Sequence, residues 1–203
     1  GQSAEGSCAR TPDAGGQGPG RADQTGRHET GGPAFERRAG AGTEDGGLNT
    51  FNPATRQFTH IAESNNFSNI HGLCVVGKNI WVGTFGNGLK IIDSTTHRVV
   101  ASYTVANTPG SLADNNVFSI CSSGDKVYVG LLGGLSYYDM HTGRFESDPV
   151  VKGHIITHIL CDSHNNLWAA SYGQGLYMRP RGAKRWKLYS NSDKRHNISS
   201  DRV

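Results

Sequence analysis

Apolar residues fall along this chain in short runs broken by glycine and small polar residues, the spacing of strands rather than helices. The clearest run is Ile80-Trp81-Val82-Gly83-Thr84, followed by the turn Phe85-Gly86-Asn87 and a second run, Gly88-Leu89-Lys90-Ile91-Ile92-Asp93. The same hairpin returns as Val127 to Asp139 and as Leu167 to Met178, and its second half appears earlier, as Gly42 to Asn52. A Gly-Leu step marks the register at Leu48, Leu89, Leu135 and Leu176, which are 41, 46 and 41 residues apart. A period of roughly 40–45 residues made of short strands is that of a propeller blade. The predicted fold is therefore all-β, a β-propeller fragment of four-stranded antiparallel blades.

The period also places the individual strands. Three complete blades are expected: Ile70 to Val75, Asn79 to Thr84, Gly88 to Asp93 and Arg98 to Val105; Asn116 to Cys121, Lys126 to Leu131, Gly134 to Asp139 and Arg144 to Ser147; Ile155 to Cys161, Asn166 to Ser171, Gly175 to Met178 and Trp186 to Tyr189. Before them stands half a blade, Leu48 to Asn52 and Gln57 to Ile61, joined by a turn at Pro53 to Arg56. Asn197 to Val203 repeats Ser111 to Val117 position for position and reads as the start of another blade. The domain reading is thus 1–41, a disordered Gly/Ala/Arg-rich segment, and 42–203, a partial propeller taken from a longer array.

Residues 1–46 contain no Val, Ile, Leu, Met, Trp or Tyr and one Phe, Phe35. Such a stretch buries too little apolar area to offset the entropy lost on ordering. Ala39-Gly40-Ala41 stands where Ile80-Trp81-Val82 stands in the next copy, which leaves the first blade with a third strand and no second. One account of the mismatch is that the segment before about Gly42 is not the blade's native sequence, as after a reading-frame shift.

Composition narrows the function. The 28 glycines, 35% hydrophobic and 18% charged residues suit a turn-rich β protein, and a net charge of +3 gives no argument for nucleic acid or a membrane surface. The basic residues near the C-terminus, Arg179, Arg181, Lys184, Arg185, Lys187, Lys194, Arg195 and Arg202, have no interleaved aromatic platform and read as a solvated face. No apolar run approaches the ~20 residues of a membrane span. Cys74, Cys121 and Cys161 lie 15, 14 and 15 residues before their marker leucines and are read as one equivalent strand position, too widely separated for a disulfide and buried as small hydrophobes.

No catalytic constellation emerges. His71, His154, His158, His164 and His196 recur near blade starts or turns without a helical HxxxH partner or a repeated carboxylate at ligand spacing, so no metal or cofactor is expected. Gly86-Asn87-Gly88 lacks the following helix that a phosphate loop requires. Trp81, Trp168, Tyr128, Tyr137 and Tyr138 occupy strand positions and read as inter-blade core. Binding is better supported, because in an antiparallel blade the turn between strands two and three shares a face with the connection to the next blade. On that face Phe85 and Tyr172 could stack on a sugar ring while Asn87 and Gln174 hydrogen-bond its hydroxyls. The candidate ligand is a small polar molecule such as an oligosaccharide. Two other readings stand beside it: a protein-interaction propeller without small ligand, and a propeller lyase, which would need a His and acid cluster on the channel face.

The repeat resembles the two-component regulator propeller repeat over about residues 42–203. The resemblance is closest in Asn116-Val117-Phe118-Ser119-Ile120 through Gly134-Leu135-Ser136-Tyr137-Tyr138-Asp139-Met140-His141-Thr142-Gly143-Arg144-Phe145, and good in Ile159 to Trp168. Tyr128 in place of Trp, Ala169-Ala170 in place of Ile-Gly and the missing second strand of the first blade depart from it. The resemblance implies a periplasmic sensor region of a membrane-bound histidine kinase that answers to glycan breakdown products. Its implied partners are further propeller blades and a kinase region of the parent chain, with a homodimer of the parent as one arrangement and no nucleic acid bound by this part.

Overall fold

The computed structural model describes residues 39–203 apart from Glu44, Ser68, residues 109–111 and His196. The expectations placed on residues 1–38, Glu44 and His196 lie outside the described residues. What is described is four antiparallel sheets in chain order. The first holds β1 (Ala39–Gly42), β2 (Leu48–Asn52) and β3 (Gln57–His60). The second holds β4 (Ile70–Val76), β5 (Asn79–Thr84), β6 (Leu89–Asp93) and β7 (Val99–Tyr103). The third holds β8 (Val117–Ser123), β9 (Lys126–Leu131), β10 (Gly134–Asp139) and β11 (Arg144–Ser147). The fourth holds β12 (Ile156–Cys161), β13 (Leu167–Ser171), β14 (Gly175–Arg179) and β15 (Lys187–Tyr189). Among the described residues there is no α-helix, only a 3-10 turn at Ala62–Ser64.

Each sheet is a plain meander, and the first strands of successive sheets pack against one another, β4 on β8 and β8 on β12. Alternation along a strand sends successive side chains to opposite faces. Ile80 and Val82 accordingly join the core with the first sheet, while Trp81 between them joins the core with the third. Tyr128 faces forward to the fourth sheet, and its neighbours Val127 and Val129 face back. This two-sided burial is why the central strands read as nearly continuous apolar runs.

Close approach between sheets needs small residues at one point. A side chain at Gly42, Gly83 or Gly130 would run into Ile70, Val117 or Ile156, the β-branched residue that opens the next sheet's first strand. The marker glycines serve a different end. Gly88 and Gly175 have φ of 71° and 96°, where a Cβ would also meet the strand-four carbonyl of Tyr103 or Tyr189.

The reversal between strands three and four is held by an Asp, as its polar sequence implies. Asp93 Oδ1 accepts the N–H groups of Thr95 and Thr96, both at 2.9 Å, and Asp139 Oδ1 those of His141 and Thr142 at 2.9 and 3.1 Å. Residues 201–203 lie against the fourth sheet as residues 115–117 lie against the second. Gly175 N–H donates to Asp201 O and Gly88 N–H to Asn115 O, each at 2.9 Å.

Two expectations are corrected. The first sheet does have a strand at its second position, because Ala39–Gly42 pairs antiparallel with β2 in full register from Ala39–Phe51 to Gly42–Leu48. Ladder hydrogen bonds come from the backbone and need no apolar side chain.

Cys161 is not at the position of Cys74 and Cys121. Those two pair with Trp81 and Tyr128, whereas Trp168 pairs with Leu160 and Cys161 with Leu167. The hairpin between β12 and β13 is longer, so equal spacing from the marker leucine hides a one-residue slip, and a slip of one turns a side chain to the other face.

Trp168 is half-buried, on the face its sheet turns away from the third. It lies on the fourth sheet's forward face, donates Nε1–H to Asp162 Oδ2 at 2.9 Å and stacks on Tyr189 at 6.0 Å.

Candidate functional site

The turns between strands two and three lie beside the connections between sheets, as the meander requires. Phe85 N–H donates to Asn69 O at 3.0 Å, and Tyr172 N–H to Ile155 O at 3.0 Å. Thr84 Oγ1 anchors its turn by donating to Gly88 O at 2.7 Å. Gly86 and Gly173 share a φ of 93°, so the two turns have the same local shape. That shape presents Phe85 and Tyr172 outward, 40% and 52% exposed, with Asn87 and Gln174 exposed beside them. The two turns stand two sheets apart, with the turn at Leu132 and Gly133 between them.

What the structure brings to Phe85 is a pair of residues that spacing alone does not single out as its partners. His71 and Phe118 each occupy a β-bulge, where the register with the second strand slips, in β4 and β8. A bulge re-aims its side chain. Here it turns both rings toward Phe85: His71 to Phe85 is 5.8 Å, Phe118 to Phe85 is 5.8 Å, and His71 to Phe118 is 6.0 Å. The signal was present in the sequence, since His71 and Phe118 both stand three residues before a cysteine, but nothing there reveals the bulge.

Tyr172 has a different surrounding. The Arg202 guanidinium lies over its ring at 5.5 Å, and the backbones of the two residues form an isolated bridge.

A cleft of about 890 Å³ lies away from these turns, between the third and fourth sheets, lined among others by Ser123, Lys126, Tyr128, Tyr137, Leu167 and Arg179. Its polar groups already satisfy one another. Asp148 accepts from Arg179 at 3.1 Å and from Trp186 Nε1 at 3.0 Å, and Arg179 stacks on Trp186 at 4.7 Å. The Tyr137 hydroxyl donates to Glu146, which with burial pushes its pKa up to about 12, and Lys126 covers the Tyr137 ring at 4.1 Å. Arg179, one of the C-terminal basic residues, is thus part of an inter-sheet contact rather than a solvated face. Among the described residues no three His, Cys, Asp or Glu side chains converge as a metal site would require.

The fold and its loop face define a β-propeller arc. No protein-family model matches the chain, and no curated protein does. Solved structures match it clearly. The extracellular domain of BT4673 from B. thetaiotaomicron, described as a one component system, superposes with a TM-score of 0.62 at 22% identity, over 74% of this chain and 20% of that one. A structure under the same protein name, described as a hybrid two component system, gives 0.51 at 17% identity over 82% and 28%. BamB from Moraxella catarrhalis gives 0.53 at 17% identity over 76% and 46%. The chain therefore spans about a fifth of the length of the first of these and just over a quarter of the second. At such identities the likeness establishes the shared fold.

Proposed function

We propose that this chain is the ligand-sensing propeller part of a periplasmic sensor, recognising an oligosaccharide or another small polar signal and passing it to a histidine kinase elsewhere in the parent protein. The observation that carries the reading is the aromatic group of exposed Phe85 and His71 with half-buried Phe118, on the loop face of a fold shared with extracellular sensor domains. Aromatic faces stack on the C–H faces of sugars, and the exposed amides of Asn87 and Gln174 suit their hydroxyls. Further blades of the parent would complete the array. The fourth sheet's forward face carries Leu160, 46% exposed, beside the half-buried Trp168 with which it pairs, the apolar surface that a following blade would cover. The test is autophosphorylation of the parent protein in membrane vesicles with and without neutral oligosaccharides. A ligand-dependent change supports the reading, and a parent with no kinase response to any glycan that binds it removes the sensor role.

A further inference from the structure

The one-residue slip in β12 gives Cys161 a partner. Cys121 faces forward from the third sheet, being paired with Tyr128, and both residues belong to the core shared with the fourth. Cys161, turned to the back face of the fourth sheet with Leu167, packs against that same core. The two strands are held in step one turn of the pleat away, where Ile159 N–H donates to Ser119 Oγ at 3.2 Å. Two residues further along each strand, Cys121 and Cys161 meet the same inter-sheet core from opposite sides. Both are free thiols.

We propose that Cys121 and Cys161 are a redox pair that a small-molecule disulfide joins into an inter-blade cross-link. The chemistry distinguishes their roles. The neighbouring Cys121 thiol and Ser123 hydroxyl hold the pKa of Cys161 below the ordinary thiol value, while the Cys161 thiol and burial push Cys121 up. Cys161 is partly exposed and Cys121 is 8% exposed. The cleft opens beside Cys161, since its walls include Leu167, which pairs with Cys161 across the hairpin, and Ser123 at the end of β8. Cys161 is thus the attacking thiolate and Cys121 the resolving thiol.

With oxidised glutathione the steps balance. Cys161 S⁻ attacks one glutathione sulfur, the S–S bond of glutathione breaks, and one glutathione thiolate leaves. Cys121, deprotonated, then attacks Cys161 Sγ in the mixed disulfide and releases the second glutathione. Two electrons pass from the protein thiols to glutathione, and the two protons go to the departing thiolates. The bond closes a loop of about 40 residues and ties the third sheet to the fourth, which should raise the unfolding temperature.

The test is peptide mapping of the native chain after incubation with oxidised glutathione without denaturant, followed by acid quench and alkylation. The expected result is a linked Cys121–Cys161 peptide, Cys74 still alkylated, an upward shift of several degrees in thermal unfolding, and reversal of both by dithiothreitol. Cys121→Ser should trap glutathione on Cys161, whereas Cys161→Ser should leave Cys121 unmodified. Oxidation confined to Cys74 or Cys8 with the pair still reduced overturns the proposal, as does glutathione captured first by Cys121. Mapping the unmutated chain decides the matter even if a serine variant fails to fold.

Discussion

Arg179 of β14 and Asp148 of the segment after β11 form a 3.1 Å ion pair across two sheets, with side chains only 16% and 5% exposed. Trp186 donates to the same oxygen and the Val150 N–H to the other, so the buried carboxylate is hydrogen-bonded at both oxygens. Removing one partner leaves a buried charge unanswered, which costs about 3–5 kcal/mol, whereas replacing both by apolar residues costs far less. Arg179→Met should therefore destabilise strongly in denaturant titration, and Arg179→Met with Asp148→Leu should recover much of the loss. Equal loss in the single and double variants would show that the charge pair itself is not what holds the sheets.

The turn aspartates make stability depend on acid. Backbone hydrogen bonds, from Thr96 to Asp93 and from Thr142 to Asp139, hold both carboxyls below the ordinary value, and the Trp168 indole does the same for Asp162. A lowered folded pKa contributes stability that is complete above the unfolded value of about 3.9 and is lost as pH falls below it. Acid unfolding followed by circular dichroism should thus set in below about pH 4. Asp93→Asn with Asp139→Asn keeps the Oδ1 acceptors and should flatten that dependence. An unchanged acid profile in the double variant would contradict the assignment.

Two equivalent turn positions carry different residues in the same backbone. His97 has φ of 58° and Gly143 has φ of 67°, each with its N–H bonded to the carbonyl of the turn aspartate. A non-glycine residue pays roughly 1–2 kcal/mol there. Gly143→Ala should lose about that much, since nothing but the backbone conformation opposes it, with Tyr138 Oη 3.6 Å from the added carbon. His97→Gly should be stabilising by less than about 1 kcal/mol, because glycine's added unfolded-state entropy offsets part of the relief. Thermal melts of the two variants check both signs.

Trp81 and Trp168 occupy matching strand positions but different surroundings. Trp81 is 5% exposed in the core between the second and third sheets, with Tyr138 at 5.2 Å. Trp81→Ala should cost about 3–5 kcal/mol, and Trp168→Ala less, about 1–2 kcal/mol for a half-exposed ring and one hydrogen bond. Equal costs in this chain by itself would contradict the difference in burial, whereas a following blade over the fourth sheet should bring the two costs together.

The sequence carried the strand order because every copy repeats the same needs, a Gly for positive φ before the marker Leu and apolar residues along the strands, and the first three share an Asn or Asp at the reversal. The bounds of the expected strands came within two residues for this reason. What the repeat could not carry was deviation from itself. Counting from Leu176 places Cys161 beside Cys121 in register, because the longer hairpin at Asp162 to Asn166 is invisible to a count of residues. The first sheet's strand at Ala39–Gly42 was missed because it rests on main-chain pairing, which leaves no apolar mark. The candidate turns were legible as exposed aromatic and amide positions. Their grouping was not, since the bulges that turn His71 and Phe118 toward Phe85 are set by register between strands.

Calorimetry on the complete extracytoplasmic domain with a neutral oligosaccharide, at low and high salt, tests the binding face most directly. Stacking and uncharged hydrogen bonds should make the affinity nearly independent of salt, unlike a phosphate-driven contact. Phe85→Ala and Tyr172→Ala should each weaken binding about tenfold or more, in line with ~1.5 kcal/mol for a lost aromatic contact. Binding that survives both substitutions unchanged, or that falls steeply with salt, would place the ligand on another surface.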